Sequence, residues 1–307
     1  MAGRPTLVFP GQGAQTVGMG KDVYDLHAAV RRTYDEANAV LGYDIAALSF
    51  EGPAETLSRT DITQPALLTN SIALLRELRE RGLEFDAALG HSLGEYSALV
   101  ATGALPFADA LRLVARRGAA MLSAAEEASG GMTAVLGIDD ATVEALCAEI
   151  GGVWPANYNA PGQVVVSGSR EALVTLAERA PRSGARKVVP LAVSGAFHSP
   201  LVAPAVEAMR GPLGEADWAA PEQPFFSVCS VAFESSGFAD LLARQIVSPV
   251  RFAQSIRYLF GKGYDSFLEI GPGSVLSGLI RRIEPGAVTA RVADAATLAV
   301  AVEGGLQ

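Results

Sequence analysis

A serine held between two glycines, a loop histidine and an arginine on an apolar helical stripe are the residues of this chain whose types and spacing offer chemistry. The serine is Ser92 in Gly90-His91-Ser92-Leu93-Gly94, set between the apolar run Ala87-Ala88-Leu89 and a helix-like segment beginning at Gly94. At a strand-to-helix junction a G-x-S-x-G forms a nucleophile elbow. Glycines at 90 and 94 permit a turn too tight for most side chains, and the turn lifts the Ser92 hydroxyl above a parallel sheet. The N-terminus of the helix behind it aims backbone N–H groups at any negative charge that develops there. A serine capping an ordinary helix is the plainer alternative.

The chain has three histidines. His27 falls in a helical pattern and reads as a satisfied surface histidine. His91, by strand alternation, is expected on the side opposite Ser92. That leaves His198, in Ser194-Gly195-Ala196-Phe197-His198-Ser199-Pro200, free to meet the serine from a loop. As general base it would take the Ser92 proton and later return one to a leaving group. No acid that would orient it is evident. The arginine is Arg117, which shares a helical face with Ala110, Val114 and Met121, whereas Asp109, Arg112 and Arg116 fall on the wet face. An arginine so placed must snorkel out or meet a buried acceptor, and no acid lies one turn away. Its partner is either a carboxylate-bearing ligand or a distant part of the protein, and Gly118 beside it keeps the approach open.

The elements that must position these residues alternate between strand and helix. Thr6-Leu7-Val8-Phe9 reads as a buried strand running into the glycine-rich loop Pro10-Gly11-Gln12-Gly13-Ala14-Gln15. The loop fails both nucleotide fingerprints on spacing, since Thr16, Gln15 and Asp22 stand where glycine, glycine and Ser/Thr would be needed. Helices are expected near 21–40, near 65–81 with Pro65 in its first turn, and over 107–121. From about 126 to 195 the order is strand (132–137), helix (141–150), strand (153–157), strand (163–168), helix (170–180), strand (187–193), the βαββαβ pattern of a ferredoxin-like unit. Further strands are expected at 225–230 and at 266–270, the latter running into Gly271-Pro272-Gly273. The fold class is α/β: a large domain with a parallel sheet, residues 1–125 and 196–307, carrying a small ferredoxin-like insert, residues 126–195.

Composition bounds what such a site can belong to. A 307-residue chain that is 50% hydrophobic can bury a substantial core. A net charge of −9 argues against nucleic-acid or anionic-membrane surfaces, which need clustered Lys and Arg. There is no apolar run of the roughly 20 residues a membrane span requires, and Met1-Ala2-Gly3-Arg4-Pro5 leads into a strand without a secretory apolar segment, so a cytoplasmic setting is expected. The two cysteines, Cys147 and Cys229, are too few and too far apart for a disulfide framework or a cysteine zinc site and read as small buried hydrophobes. No metal site is expected.

Seven motifs in order, Phe9-Pro10-Gly11-Gln12-Gly13-Ala14-Gln15, Gln64-Pro65-Ala66-Leu67, Gly90-His91-Ser92-Leu93-Gly94-Glu95-Tyr96, Arg117-Gly118, Ala196-Phe197-His198-Ser199-Pro200, Gln245 within Arg244-Gln245-Ile246-Val247-Ser248-Pro249-Val250, and Glu269-Ile270-Gly271-Pro272-Gly273, resemble those of malonyl-CoA:acyl carrier protein transacylases and polyketide synthase acyltransferases. The resemblance spans about residues 5–285. It implies an α/β-hydrolase-like large domain with a ferredoxin-like insert, Ser92 as nucleophile, His198 as base, and an oxyanion hole from the backbone N–H groups of Gln12 and Leu93. It also implies that a backbone carbonyl near Gln245 orients the histidine in place of an acid, and that Arg117 holds the substrate carboxylate. Leu93 and Phe197 stand at the family's acyl-selectivity positions and resemble the malonyl-type pair. The substrate would be malonyl-CoA and the partner a phosphopantetheinylated acyl carrier protein, with no bound cofactor. Arg182, Arg186 and Lys187, or Arg281 and Arg282, are candidates for docking that acidic carrier. An acyl-thioester hydrolase using the same serine and histidine is the alternative, though the HGGG-type loop and the acid before a C-terminal histidine are not evident.

Overall fold

In the computed structural model, which describes residues 4–304, two sheets share the chain. The N-terminal reading made on Met1–Gly3 falls outside the described residues. The strands are β1 (Thr6–Phe9), β2 (Ala87–Gly90), β3 (Gly130–Leu136), β4 (Val153–Ala160), β5 (Gln163–Ser169), β6 (Lys187–Pro190), β7 (Phe225–Ser227), β8 (Ala232–Glu234), β9 (Ser266–Ile270) and β10 (Val288–Val292). The helices are α1 (Lys21–Leu26), α2 (Ala28–Leu41), α3 (Ile45–Glu51), α4 (Ala54–Leu57), α5 (Thr60–Glu80), α6 (Gly94–Ala101), α7 (Phe107–Ala128), α8 (Asp140–Ile150), α9 (Arg170–Arg179), α10 (Ala203–Glu215), α11 (Phe238–Gln245), α12 (Phe252–Gly261), α13 (Val275–Ile283) and α14 (Ala295–Glu303).

The larger sheet runs β10-β9-β1-β2-β7-β8 and is parallel except for the β7–β8 pair at its edge. β1 lies at its centre, paired on both sides and buried along its length, which is why it is an unbroken apolar run instead of an alternating one. Its side chains still alternate between faces. Leu7 and Phe9 pack into the core built by α2, α5, α6 and α7, whereas Val8 packs into a second core with residues of α12 and α13. Because β1, β2 and β9 are parallel, the loop after Phe9, the elbow after Gly90 and the Gly271-Pro272-Gly273 loop all leave the same edge of the sheet. Open α/β sheets carry their ligands at that edge.

The smaller sheet is antiparallel, in the order β4-β5-β3-β6, with α8 and α9 supplying a core of its own. This is the spatial order of a βαββαβ unit. Val164 and Val166 face α8 and α9, and Val165 between them faces the main core. The edge strand β4 is also stitched to a loop of the large sheet's side: Tyr158 N–H donates to the Val250 carbonyl at 2.9 Å and Val250 N–H to the Ala156 carbonyl at 2.8 Å.

Several elements differ from expectation. The helix expected at 65–81 begins five residues earlier, at Thr60, and carries Pro65 inside it. Ile62 and Thr63 N–H groups already close on the Arg59 carbonyl, so the first turn exists before the proline, whose missing N–H costs a single helical bond. The helix expected over 21–40 breaks at His27, which adopts extended backbone angles between α1 and α2. Helix α7 continues seven residues past Met121 to Ala128, and the strands expected to reach Val193 and Ser230 stop at Pro190 and Ser227.

Candidate active site

The chain leaves β2 at Gly90 and enters α6 at Gly94, and the turn between them places Ser92 at φ 52°. A side chain cannot be accommodated at either glycine. A Cβ on Gly90 would lie 1.9 Å from the Gly94 carbonyl carbon, and one on Gly94 would lie 2.1 Å from the Phe9 carbonyl oxygen. The strained turn presents the Ser92 hydroxyl to His198, with Oγ 2.7 Å from Nε2. His198 is itself in the left-handed region, at φ 58°.

The other imidazole nitrogen fixes the tautomer. Nδ1 lies 3.0 Å from the Gln245 carbonyl and 3.0 Å from the Ser248 carbonyl. Both partners are acceptors only, so Nδ1 carries the proton and Nε2 keeps its lone pair for the serine. Burial, reinforced by the Arg117 charge, pushes the His198 pKa down to about 3. The imidazole is therefore neutral across the physiological range, in the form a general base requires.

Arg117 is 1% exposed on the inner face of α7. Its Nη1 donates to Gln64 Oε1 at 2.8 Å, and its Nη2 donates to Gln245 Oε1 at 2.9 Å and to Ser92 Oγ at 3.3 Å. The face of Tyr96 lies 5.7 Å from the guanidinium carbon, within cation–π range. Nε has no partner among the described residues. The sequence left a ligand carboxylate and an intraprotein partner as alternatives. The intraprotein partners are amide and hydroxyl oxygens, so no protein carboxylate occupies the guanidinium. Gly118 packs on the start of α5, where a Cβ would meet the Thr60 carbonyl at 2.7 Å.

A cavity opens above Ser92. Gln12, Arg117, Asn157, Asn159 and His198 are its polar lining, Leu93 borders it beside Ser92, and Met121, Met132, Val165, Leu191, Val193 and Phe197 form its apolar wall. The backbone N–H groups of Gln12 and Leu93 have no acceptor among the described residues. His91 corrects the sequence reading: it lines this cavity instead of facing away, and its Nε2 lies 2.9 Å from Asn159 Oδ1. Strand alternation stops applying because β2 ends at Gly90, one residue earlier. His27, by contrast, is a satisfied histidine far from this site, 3.1 Å from the Glu77 carboxylate.

The model of the acyl transferase domain matches residues 6–299 of the chain. The malonyl CoA-acyl carrier protein transacylase of Escherichia coli K12 is 42% identical over 303 residues, covering 97% of this chain and 98% of that protein. The chain belongs to the acyltransferase family. Solved acyltransferases share the fold throughout. The acyl-carrier-protein S-malonyltransferase of Burkholderia pseudomallei is 42% identical with a TM-score of 0.94, covering 98% of this chain and 99% of that one. A malonyl-transacylase in complex with its type II PKS acyl-carrier protein is 39% identical with a TM-score of 0.95, covering 98% of this chain and 100% of that one.

In this acyltransferase the sequence-derived set Gln12, Ser92, Leu93, Arg117, Phe197, His198 and Gln245 converges on one cavity and its rim. The basic candidates Arg182, Arg186, Lys187, Arg281 and Arg282 are all exposed and line no part of it. Four further polar residues belong to the site and carry no role in the sequence pattern. Gln64 and Ser248 stand inside the family-like motifs, but no local pattern assigns them a role, since their partners are distant in sequence. Asn157 and Asn159 do show a local signal: two asparagines two apart on a strand mark a polar face. Glu95 is a further buried carboxylate behind the serine.

Proposed function

We propose that this acyltransferase moves a malonyl group from malonyl-CoA to the phosphopantetheine thiol of an acyl carrier protein through an acyl-Ser92 intermediate. The observation that carries the reading is Arg117: a buried guanidinium, bonded to no protein carboxylate, within 3.3 Å of the serine hydroxyl. It suits an acyl group bearing its own carboxylate, held by charge-assisted bonds beside the reacting carbonyl. The thioester carbonyl then faces Ser92 Oγ, whose proton passes to His198 Nε2 as the C–O bond forms. The Gln12 and Leu93 N–H groups receive the oxyanion, each such donor being worth about 10²–10³ in rate. Collapse breaks the C–S bond, and His198 returns the proton to the departing CoA thiolate. The carrier thiol repeats the sequence in reverse, giving up its proton to His198 as it attacks the acyl-serine.

Malonyl-CoA enters as substrate, and the scheme uses no metal or prosthetic group. The larger unit, 1–125 and 196–307, would carry the chemistry, and the insert, 126–195, most of the apolar acyl wall. A cytoplasmic setting fits the two free thiols Cys147 and Cys229 and the lack, among the described residues, of any helix long and apolar enough to cross a membrane. Incubation with malonyl-CoA followed by mass analysis of digested protein tests the reading. A malonyl adduct on the Ser92 peptide is expected, absent in Ser92→Ala. An adduct elsewhere, or turnover retained in Ser92→Ala, refutes it.

A further inference from the structure

Glu95 opens the first turn of α6, three residues after Ser92, and is 0% exposed. Its Oε1 accepts from Val228 N–H at 2.7 Å, its Oε2 accepts from Gln245 Nε2, and the Ser227 hydroxyl and Cys229 N–H lie close by. Burial raises the Glu95 pKa, and the hydrogen bonds from these neighbours oppose that rise. Apart from the hydroxyl, every polar neighbour is purely a donor, so the geometry is that of an ionised carboxylate, and a protonated one would waste its O–H. The Gln245 side chain spans the gap between this carboxylate and Arg117. Its Oε1 accepts from Arg117 Nη2 at 2.9 Å, and its Nε2 donates both to Glu95 and to the Ser92 carbonyl at 2.9 Å. The Gln245 backbone carbonyl accepts from His198 Nδ1.

An amide has two ends of nearly equal shape and opposite polarity. Here a group that can only donate stands at one end and a group that, ionised, can only accept stands at the other, so one orientation survives. We infer that Glu95 is a positioning residue and the counter-charge of Arg117: acting across the Gln245 amide, it keeps the guanidinium charged and aimed while leaving its remaining hydrogen-bonding capacity to the acyl carboxylate. Direct pairing would defeat the site, because a carboxylate in contact with Arg117 would compete with the substrate for the same N–H groups. One amide of separation supplies the compensation that a buried charge needs without filling the binding edge. The same amide, through its residue's own carbonyl, ties the arginine that reads the acyl group to the histidine that activates the serine.

The inference rests on the malonyl reading of the site, and its test separates the two. Malonyl and acetyl loading of Ser92 are measured by mass for wild type and Glu95→Gln, and the kinetics of both CoA substrates are compared. Wild type that fails to load malonyl overturns the functional reading itself. With wild type loading as expected, Glu95→Gln should lower malonyl kcat/KM by roughly 10- to 100-fold, mainly through KM, and acetyl kcat/KM by much less. Equal losses for the two substrates, or no loss, overturn the role of Glu95. Should Glu95→Gln alone fail to fold, the pair Arg117→Ala with Glu95→Gln decides. Removing both charges should restore a cooperative melt that either single substitution lowers, and a pair that melts no higher than the worse single variant overturns the inference.

Discussion

Arg117 is buried against amide oxygens 2.8 and 2.9 Å away, so its charge is held at a cost that a bound carboxylate offsets. Truncating Arg117 to alanine should therefore cost malonyl transfer on the order of 10²–10³-fold in kcat/KM, roughly 3–4 kcal/mol, and leave acetyl transfer little changed. Equal losses in a comparison of the two CoA substrates would make the arginine structural. His198 gives a prediction in pH. Its pKa lies near 3 in the folded chain against 6.5 when free, and the base works when neutral, so malonyl kcat/KM should show no acid limb near 6.5. A limb there would mean a solvated imidazole. For stability the sign follows from proton counts. Between those two values the unfolded chain binds the extra proton and the folded chain does not, so this residue's contribution destabilises the fold as pH falls from about 6.5 toward 3. Denaturant melts of wild type and His198→Asn across that window should converge as the pH drops.

At the scale of elements, the elbow was legible because its requirements are local. A G-x-S-x-G between an apolar run and a helix specifies its own turn, and the clash distances at Gly90 and Gly94 show why no other residue serves. Gly94→Ala forces a Cβ to 2.1 Å from the Phe9 carbonyl. β1 must shift from its place between β2 and β9, with a loss of about 1–3 kcal/mol or more. The expected outcome is a melting temperature several degrees lower with acyl loading impaired, and an unchanged melt would show that the turn relaxes freely. The register of α7 was equally readable, because Ala110, Val114, Arg117 and Met121 are all buried as their spacing requires. What no local pattern encodes is the bridging of α5, α7 and α11 by two glutamines, since Gln64 and Gln245 lie 53 and 128 residues from the arginine they hold. The misplacements have local causes too. Pro65 suits a start signal, but the preceding turn is already closed, and the alternation that would turn His91 away ends with its strand.

For the whole molecule, the alternation of strand and helix and the inserted βαββαβ run were visible in the sequence, because hydrophobic period and turn residues change where the sheet changes. The resulting arrangement divides the labour. Serine, histidine and arginine hang from the large sheet's side, whereas Met132, Val165, Leu191 and Val193 bring the insert's apolar side chains to the cavity, and Phe197 stands where the chain returns. Phe197 is 5% exposed and lines the cavity, and on the proposed function its ring would occupy space that an α-branch on the acyl group needs. Overpacking of about 1–3 kcal/mol predicts a roughly 5- to 150-fold preference for malonyl over methylmalonyl. Phe197→Ser should narrow it by raising methylmalonyl transfer in a competition at equal concentrations. Wild type that loads both equally would refute the steric account.

The stitch between β4 and Val250 reaches further than its two backbone bonds suggest. Asn157 and Asn159, on that same strand, border the acyl cavity, and the carbonyls that hold the imidazole belong to Gln245 and Ser248, a few residues before Val250. The surface that would measure the acyl group and the hook that holds the His198 imidazole thus share one frame. On the proposed function, an ill-fitting acyl chain that displaced this frame would also swing Nε2 off the serine. Discrimination would then fall on turnover as well as on occupancy: a wrong acyl-CoA could sit in the cleft and still be slow to react.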